Sequence, residues 1–150
     1  MRHAIGAHFN HLFLYATLNA PSAIKSNEPS GKLKEYIDKF FSDAHGLKES
    51  LKKAVESRVL PGWVWLGLTK DGQLVVTQTN NEDNTLMHGV ALIQCTPVLG
   101  IDLWEHAYLL STANKGEYFE RFWAHLDWPW LSHHFESHNL KGKVAPILPE

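Results

Sequence analysis

The tripeptide Leu60-Pro61-Gly62 cuts this chain into two stretches whose apolar residues follow different periods. Helical spacing before it and short strand-like blocks after it exclude an all-helical bundle and an all-strand sandwich alike. Residues 4–18, AIGAHFNHLFLYATL, hold no proline and one early glycine, Gly6, and predict a helix that stops before Pro21. Phe9, Leu12, Phe13, Leu14, Tyr15 and Leu18 make it apolar nearly all the way round, which predicts burial on several sides. A linker rich in Pro, Ser and Asn runs from Asn19 to Gly31, with Ser30 as the expected N-cap of the next helix. Lys32 to Phe41 places Leu33, Tyr36, Ile37, Phe40 and Phe41 on one helical face. Leu47 to Val59 repeats the pattern with Leu51, Val55 and Val59. Its other face carries Lys48, Lys52, Lys53 and Glu56, a mixed-charge pattern that reads as a solvated surface rather than a nucleic-acid patch.

The second stretch begins with Trp63–Leu68 and Gln73–Thr79, two strand-like runs joined by the turn residues Lys70-Asp71-Gly72. A polar loop from Asn80 to Asn84 follows, then a third apolar run at Val90–Cys95, then Pro97-Val98-Leu99-Gly100-Ile101 leading into Asp102. Trp104–Leu110 and Glu117–Leu126 predict helices, Trp128-Pro129 ends the second of them, and a short helix is expected over Trp130–His138. The fold class is therefore α+β: helices first, then a small antiparallel sheet with helices.

At 150 residues the chain is one ordinary domain or two very small ones. Its formal net charge of −2 argues against gripping a phosphate backbone with the whole surface. The single cysteine, Cys95, excludes an internal disulfide framework and a cysteine zinc site, and fits a reducing compartment as an inert buried thiol. No apolar run is long enough to span a membrane. The N-terminus matches neither a signal peptide nor a typical transit peptide. Ten histidines in so short a chain put metal binding forward, because imidazole is the commonest metal ligand.

Asp102-Leu103-Trp104-Glu105-His106 is the sharpest local signal. An Asp and a His four residues apart at a helix start face the same way, about 6 Å apart, a bite that one metal ion bridges. A mixed oxygen and nitrogen donor set suits iron or manganese, and zinc accepts it too. On spacing alone an ordinary Asp–His pair at a helix N-terminus is the favoured reading, because motifs this short recur by chance. His8 and His11, three apart on the first helix, are a second pair that a helix interface alone would explain. His133, His134 and His138 read as surface or interface residues, and His45, His88 and His125 have no partner at ligand spacing.

The run Pro97 to Tyr108, PVLGIDLWEHAY, resembles the D-x-W-E-H-A-Y signature of iron/manganese superoxide dismutases, and Gly6 to His11, GAHFNH, is similar to that family's G-x-H-x-N-H helix. Glu28–Leu33, Pro61–Leu66 and Tyr118–Trp123 agree in order and spacing, so the resemblance extends over residues 4 to about 135. It implies a three-stranded antiparallel sheet flanked by helices, and His11, Asp102 and His106 as ligands of iron or manganese. It also implies that Trp63, Trp104 and Glu82 line the metal pocket, with Glu82 as a further carboxylate there, and that Glu105 reaches across a dimer interface, with Tyr108 beside it. The implied activity is a ping-pong conversion of superoxide to oxygen and hydrogen peroxide.

Departures from the family pattern point the other way. The family's N-terminal hairpin supplies a further histidine ligand and the tyrosine and histidine of the substrate gateway, whereas here Met1 stands only ten residues before His11, and His3 lies on the same helix. The family's outer-sphere glutamine aligns with Glu82 in the loop, or with Ala7 on the first helix, and the tyrosine expected after Tyr108 is Leu109. The expectation is a truncated helical domain over residues 1–60, an α/β metal-site domain over 61–138 and an extended tail over 139–150 suited to docking. With so incomplete a site, a metal-free or weakly loaded pseudoenzyme is expected. Its role would be that of a structural subunit in the mitochondrial matrix, in an assembly such as the small subunit of the mitochondrial ribosome or a respiratory complex, touching nucleic acid only indirectly; a cytoplasmic location is the alternative. An apolar surface of Phe9, Leu12, Phe13 and Leu14 would call for a covering protein, as a homodimer, a heterodimer or a larger complex. The competing expectation is an active dismutase whose missing ligand comes from another chain.

Overall fold

The computed structural model describes residues 1–23 and 25–144. Three helices come first: α1 (Arg2–Thr17), α2 (Gly31–Phe41) and α3 (Ala44–Ser57), with one 3-10 turn at Pro21–Ala23. Strands β1 (Gly62–Leu68), β2 (Leu74–Asn80) and β3 (Thr96–Asp102) follow, then α4 (Glu105–Tyr108), α5 (Lys115–Ala124), α6 (Trp128–Ser137) and a 3-10 turn at Asn139–Lys141. The α+β class and the three-stranded antiparallel sheet are as the sequence implies. The order is β2-β1-β3, with β1 in the centre.

Local chemistry places these boundaries. Asp43 accepts the Gly46 amide at 2.7 Å and starts α3. Asn114 caps α5 through the amides of Gly116 and Glu117, and Asp127 caps α6 through Trp130. Ser30 holds the N-cap position of α2, yet its hydroxyl makes no capping bond. Glu136 on α6 does that work, accepting the Lys32 amide at 2.8 Å, and so ties α2 to α6 as well.

Central strand β1 is buried along its whole length, which is why Trp63-Val64-Trp65-Leu66 reads as a continuous apolar run and not as an alternation. One hydrophobic cluster spans the Pro61 divide: Phe13, Leu33, Ile37, Leu47, Leu51 and Val55 from the helices meet Trp65, Leu66, Leu99, Phe119 and Phe135. Gly100 lets β3 lie flat against the Trp65 ring, since a β-carbon there would collide with two of the ring's carbons and crowd a third.

Three expectations are corrected. Phe13 and Leu14 of α1 are buried by this chain itself, and Phe9 packs partly against the core, because β3 and the sheet lie under that face. The exposed apolar side chains of α1 are instead Ile5 and Tyr15, at 61% and 66% exposure. Val59 lies past the end of α3 and is 89% exposed, because the chain turns extended at Arg58 to enter the sheet. The run Val90–Cys95 is loop rather than strand, with Leu92 at 91% exposure. The third strand is the Thr96–Asp102 segment. Of the tail, residues 139–144 form the last 3-10 turn and its exit, while residues 145–150 lie outside the described residues.

Candidate metal centre

Three elements converge at one end of the sheet. Strand β3 ends at Asp102, which sits beside Trp63 in the register of β1 and β3. Its side chain is almost fully buried, and Oδ1 accepts the amide of Trp104 at 2.9 Å, which fixes the carboxylate at the entry to α4. Four residues on, His106 turns back so that its Nε2 lies 3.1 Å from Oδ2 of Asp102. From the other end of the chain, α1 packs on β3 and brings Nε2 of His11 to 3.0 Å from the same Oδ2. The three ligand atoms all lie within 4.8 Å of one another.

Close packing of α1 makes this possible. Gly6 has no side chain because the carbonyl oxygen of Glu82 occupies the space a β-carbon would need. Asn10, fully buried, donates from Nδ2 to that carbonyl at 3.1 Å and accepts from Nδ2 of Asn84 at 3.2 Å. Arg2 adds an ion pair to Asp83 at 3.1 Å. The glycine and the asparagine of the Gly6–His11 run thus clamp the helix on the loop, and His11 follows at the correct rotation.

The donor set fits a cation. Nδ1 of His11 lies 2.8 Å from the carbonyl oxygen of Ala7, an atom that can only accept, so Nδ1 carries the hydrogen. In the neutral ring Nε2 is then a lone-pair donor, and it faces a carboxylate oxygen that also brings only lone pairs. Two acceptors at 3.0 Å need a positive species between or beside them, a proton or a metal ion. Ligand atoms bonded at about 2.1 Å to one ion and at right angles to each other stand about 3.0 Å apart. Two imidazoles and one carboxylate on one side of an ion are the ligand set typical of non-haem iron. The histidine oriented by a backbone carbonyl also matches how ligand histidines are held.

Aromatic walls enclose two sides. The Trp63 ring meets His11 edge-on at 5.3 Å between centroids, and Trp104 stacks on His106 at 6.1 Å. His3 in turn meets Trp104 edge-on. The third side is open: the His11 side chain is 29% exposed and that of His106 is 59% exposed. Glu82 does not join the triad. It lies behind the Trp63 ring, 4% exposed, where Oε2 accepts the indole N–H at 3.0 Å and the Asn10 amide at 3.4 Å. Glu105 is exposed, and Tyr108 is half-buried against Tyr118. Burial holds the Tyr118 hydroxyl far above its usual value, with the nearby Asp102 charge adding to it.

His8 is exposed and outside the triad, so the His8–His11 pair does not act as one. Among the described residues this is the one group of three such side chains in metal-binding reach. Cys95 is a buried thiol whose pKa burial pushes up, which suits the inert role read from its apolar surroundings. The Asn10–Glu82–Asn84 clamp leaves a single mark in the sequence, the asparagine before His11.

Comparison with known proteins agrees with this geometry. Residues 29–134 match the family described as iron/manganese superoxide dismutases, C-terminal domain. A manganese superoxide dismutase of Acinetobacter baylyi is 39% identical over 124 residues, covering 82% of this chain and 53% of that protein. One from Thermus thermophilus is 40% identical over 124 residues (82% and 57%), and one from Listeria monocytogenes 35% identical over 133 residues (88% and 61%). The chain thus spans just over half the length of these relatives. With sequence match, sheet topology and triad in agreement, the chain belongs to the iron/manganese superoxide dismutase family.

Proposed function

We propose that this chain contributes three ligands, His11, Asp102 and His106, to a mononuclear iron or manganese centre that disproportionates superoxide. The observation that carries this reading is the convergence of both Nε2 atoms on Oδ2 of Asp102, with Nδ1 of His11 committed to a backbone carbonyl. When bound, the metal supplies one-electron chemistry, accepting an electron from one superoxide and giving it to the next. The chain's own residues do the rest. Ala7 sets the His11 tautomer, the Trp104 amide aims the Asp102 carboxylate, and Trp63 keeps water off the inner side. The exposed edge of His106 leaves an approach for a small anion. A further ligand would come from outside the described residues.

Glu82 supports a second reading. A carboxylate has no hydrogen to donate to a solvent ligand, and its bonds to Trp63 and Asn10 are both accepted. A centre with that replacement and three ligands suits a non-catalytic subunit of a larger assembly, mitochondrial on the expectation drawn from the resemblance.

Metal analysis of protein expressed with iron or manganese, paired with stopped-flow superoxide decay, tests both. About one metal per chain is expected, and metal-free protein from both media would overturn the metal centre. Fast decay supports the dismutase, and loaded protein without turnover supports the second reading.

A further inference from the structure

We infer that Glu82 is the second negative charge of the metal centre, a buried counter-charge that sets the affinity of the site for a divalent cation without being a ligand. This rests on the metal-binding reading above.

Glu82 and Asp102 are 4% and 2% exposed, and both lie against Trp63: Glu82 accepts its indole N–H, and Asp102 is its cross-strand neighbour. Among the described residues no lysine or arginine comes within ion-pair distance of either carboxylate. Of the cations at this loop, Arg2 pairs with Asp83, and Arg58 donates to the Pro61 carbonyl and the Asn80 side-chain oxygen. Burying a carboxylate without a compensating charge is costly, and chains rarely do so without a partner. Asp102 faces the triad and Glu82 lies behind Trp63, so a single divalent cation held by the triad would offset both carboxylates.

The hydrogen bonds of Glu82 make its charge separable from its shape. Trp63 Nε1 and Asn10 Nδ2 both donate to the same oxygen, Oε2. In Glu82→Gln the amide oxygen takes the place of Oε2 and keeps both bonds, so the substitution removes a charge and little else. Glu82→Asp does the reverse, keeping the charge and shortening the reach to Trp63.

The experiment titrates metal-free full-length chain with Co(II) and with Mn(II), and measures thermal unfolding of each metal-free variant. Glu82→Gln is expected to bind both ions about tenfold more weakly, at the lower end of the effects of outer partners, while its metal-free form melts no lower than the parent. Glu82→Asp is expected to bind more tightly than Glu82→Gln. Equal affinity of parent and Glu82→Gln overturns the inference and leaves the metal centre standing. So does a Glu82→Gln chain whose metal-free form melts lower, or a Glu82→Asp chain that binds more weakly than Glu82→Gln, since each marks a role in packing. A parent chain that binds neither ion takes down the metal centre and the inference with it.

Discussion

Nε2 of His11 and Oδ2 of Asp102 meet at 3.0 Å although 91 residues separate them along the chain. Neither atom has a hydrogen to share when His11 is neutral and its Nδ1 donates to Ala7. The pair therefore stores a demand for positive charge. That demand is created by the packing of α1 on β3, and its consequences are measurable.

Asp102 and His106 contribute to the same triad from different depths, so their removal should separate binding from stability. Asp102→Ala leaves the Trp104 amide without its acceptor and should cost about 1–3 kcal/mol in denaturant unfolding of the metal-free chain. His106→Ala, at an exposed site, should change that stability by less than about 0.5 kcal/mol. Both should weaken Co(II) binding by more than about 100-fold, beyond the range of outer partners.

Trp63→Phe keeps the ring edge against His11 and deletes the N–H that Glu82 accepts. The buried Oε2 then retains only the longer bond from Asn10. A loss of about 1–3 kcal/mol is expected in urea unfolding. The Glu82→Gln/Trp63→Phe double variant should lose less than the sum, because a neutral amide tolerates the missing donor better.

Gly100→Ala is expected to destabilise the fold by about 1–3 kcal/mol through overpacking against Trp65. The β3 strand must shift to make room, and Asp102 lies two residues further along it. Metal affinity should fall with stability, measured by the same Co(II) titration. Unchanged stability would mean that the ring moves freely.

His134 provides a pH-dependent term remote from the triad. Its ring lies between Trp130 and His138 at 4.6 and 4.9 Å, and burial first, then the neighbouring His138, lowers its pKa from 6.5 to about 4. The folded chain keeps this ring neutral while the unfolded chain protonates it below pH 6.5. Stability contributed by His134 is therefore complete above pH 6.5 and lost as pH falls towards 4, with a slope of at most about 1.4 kcal/mol per pH unit. His134→Phe keeps the stack and should flatten that slope in unfolding curves between pH 4 and 7.

Much of the fold is legible in the residues because its causes are local. The face formed by Leu33, Tyr36, Ile37 and Phe40, the caps Asp43 and Asn114, and the Lys70-Asp71-Gly72 turn each act over three or four positions. Ambiguity lies where apolar character has two explanations. Val90–Cys95 looks like a strand but contains no residue that pairs with β1, whereas Pro97–Ile101 does. The face of α1 carrying Phe13 and Leu14 looks unpartnered until β3 covers it.

The site divides in the same way. Its members are nameable from sequence, since the Gly6–His11 and Asp102–His106 spacings single out His11, Asp102 and His106. What packing alone decided is the relation between the two motifs: both imidazoles on one carboxylate oxygen, His11 held in its ligating tautomer, one side open, and Glu82 sealed behind Trp63. Sequence encodes helices and strands through contacts a few bonds away. A charge balance between residues 82, 102 and 11 exists only once the sheet register and the clamp on α1 have brought them together.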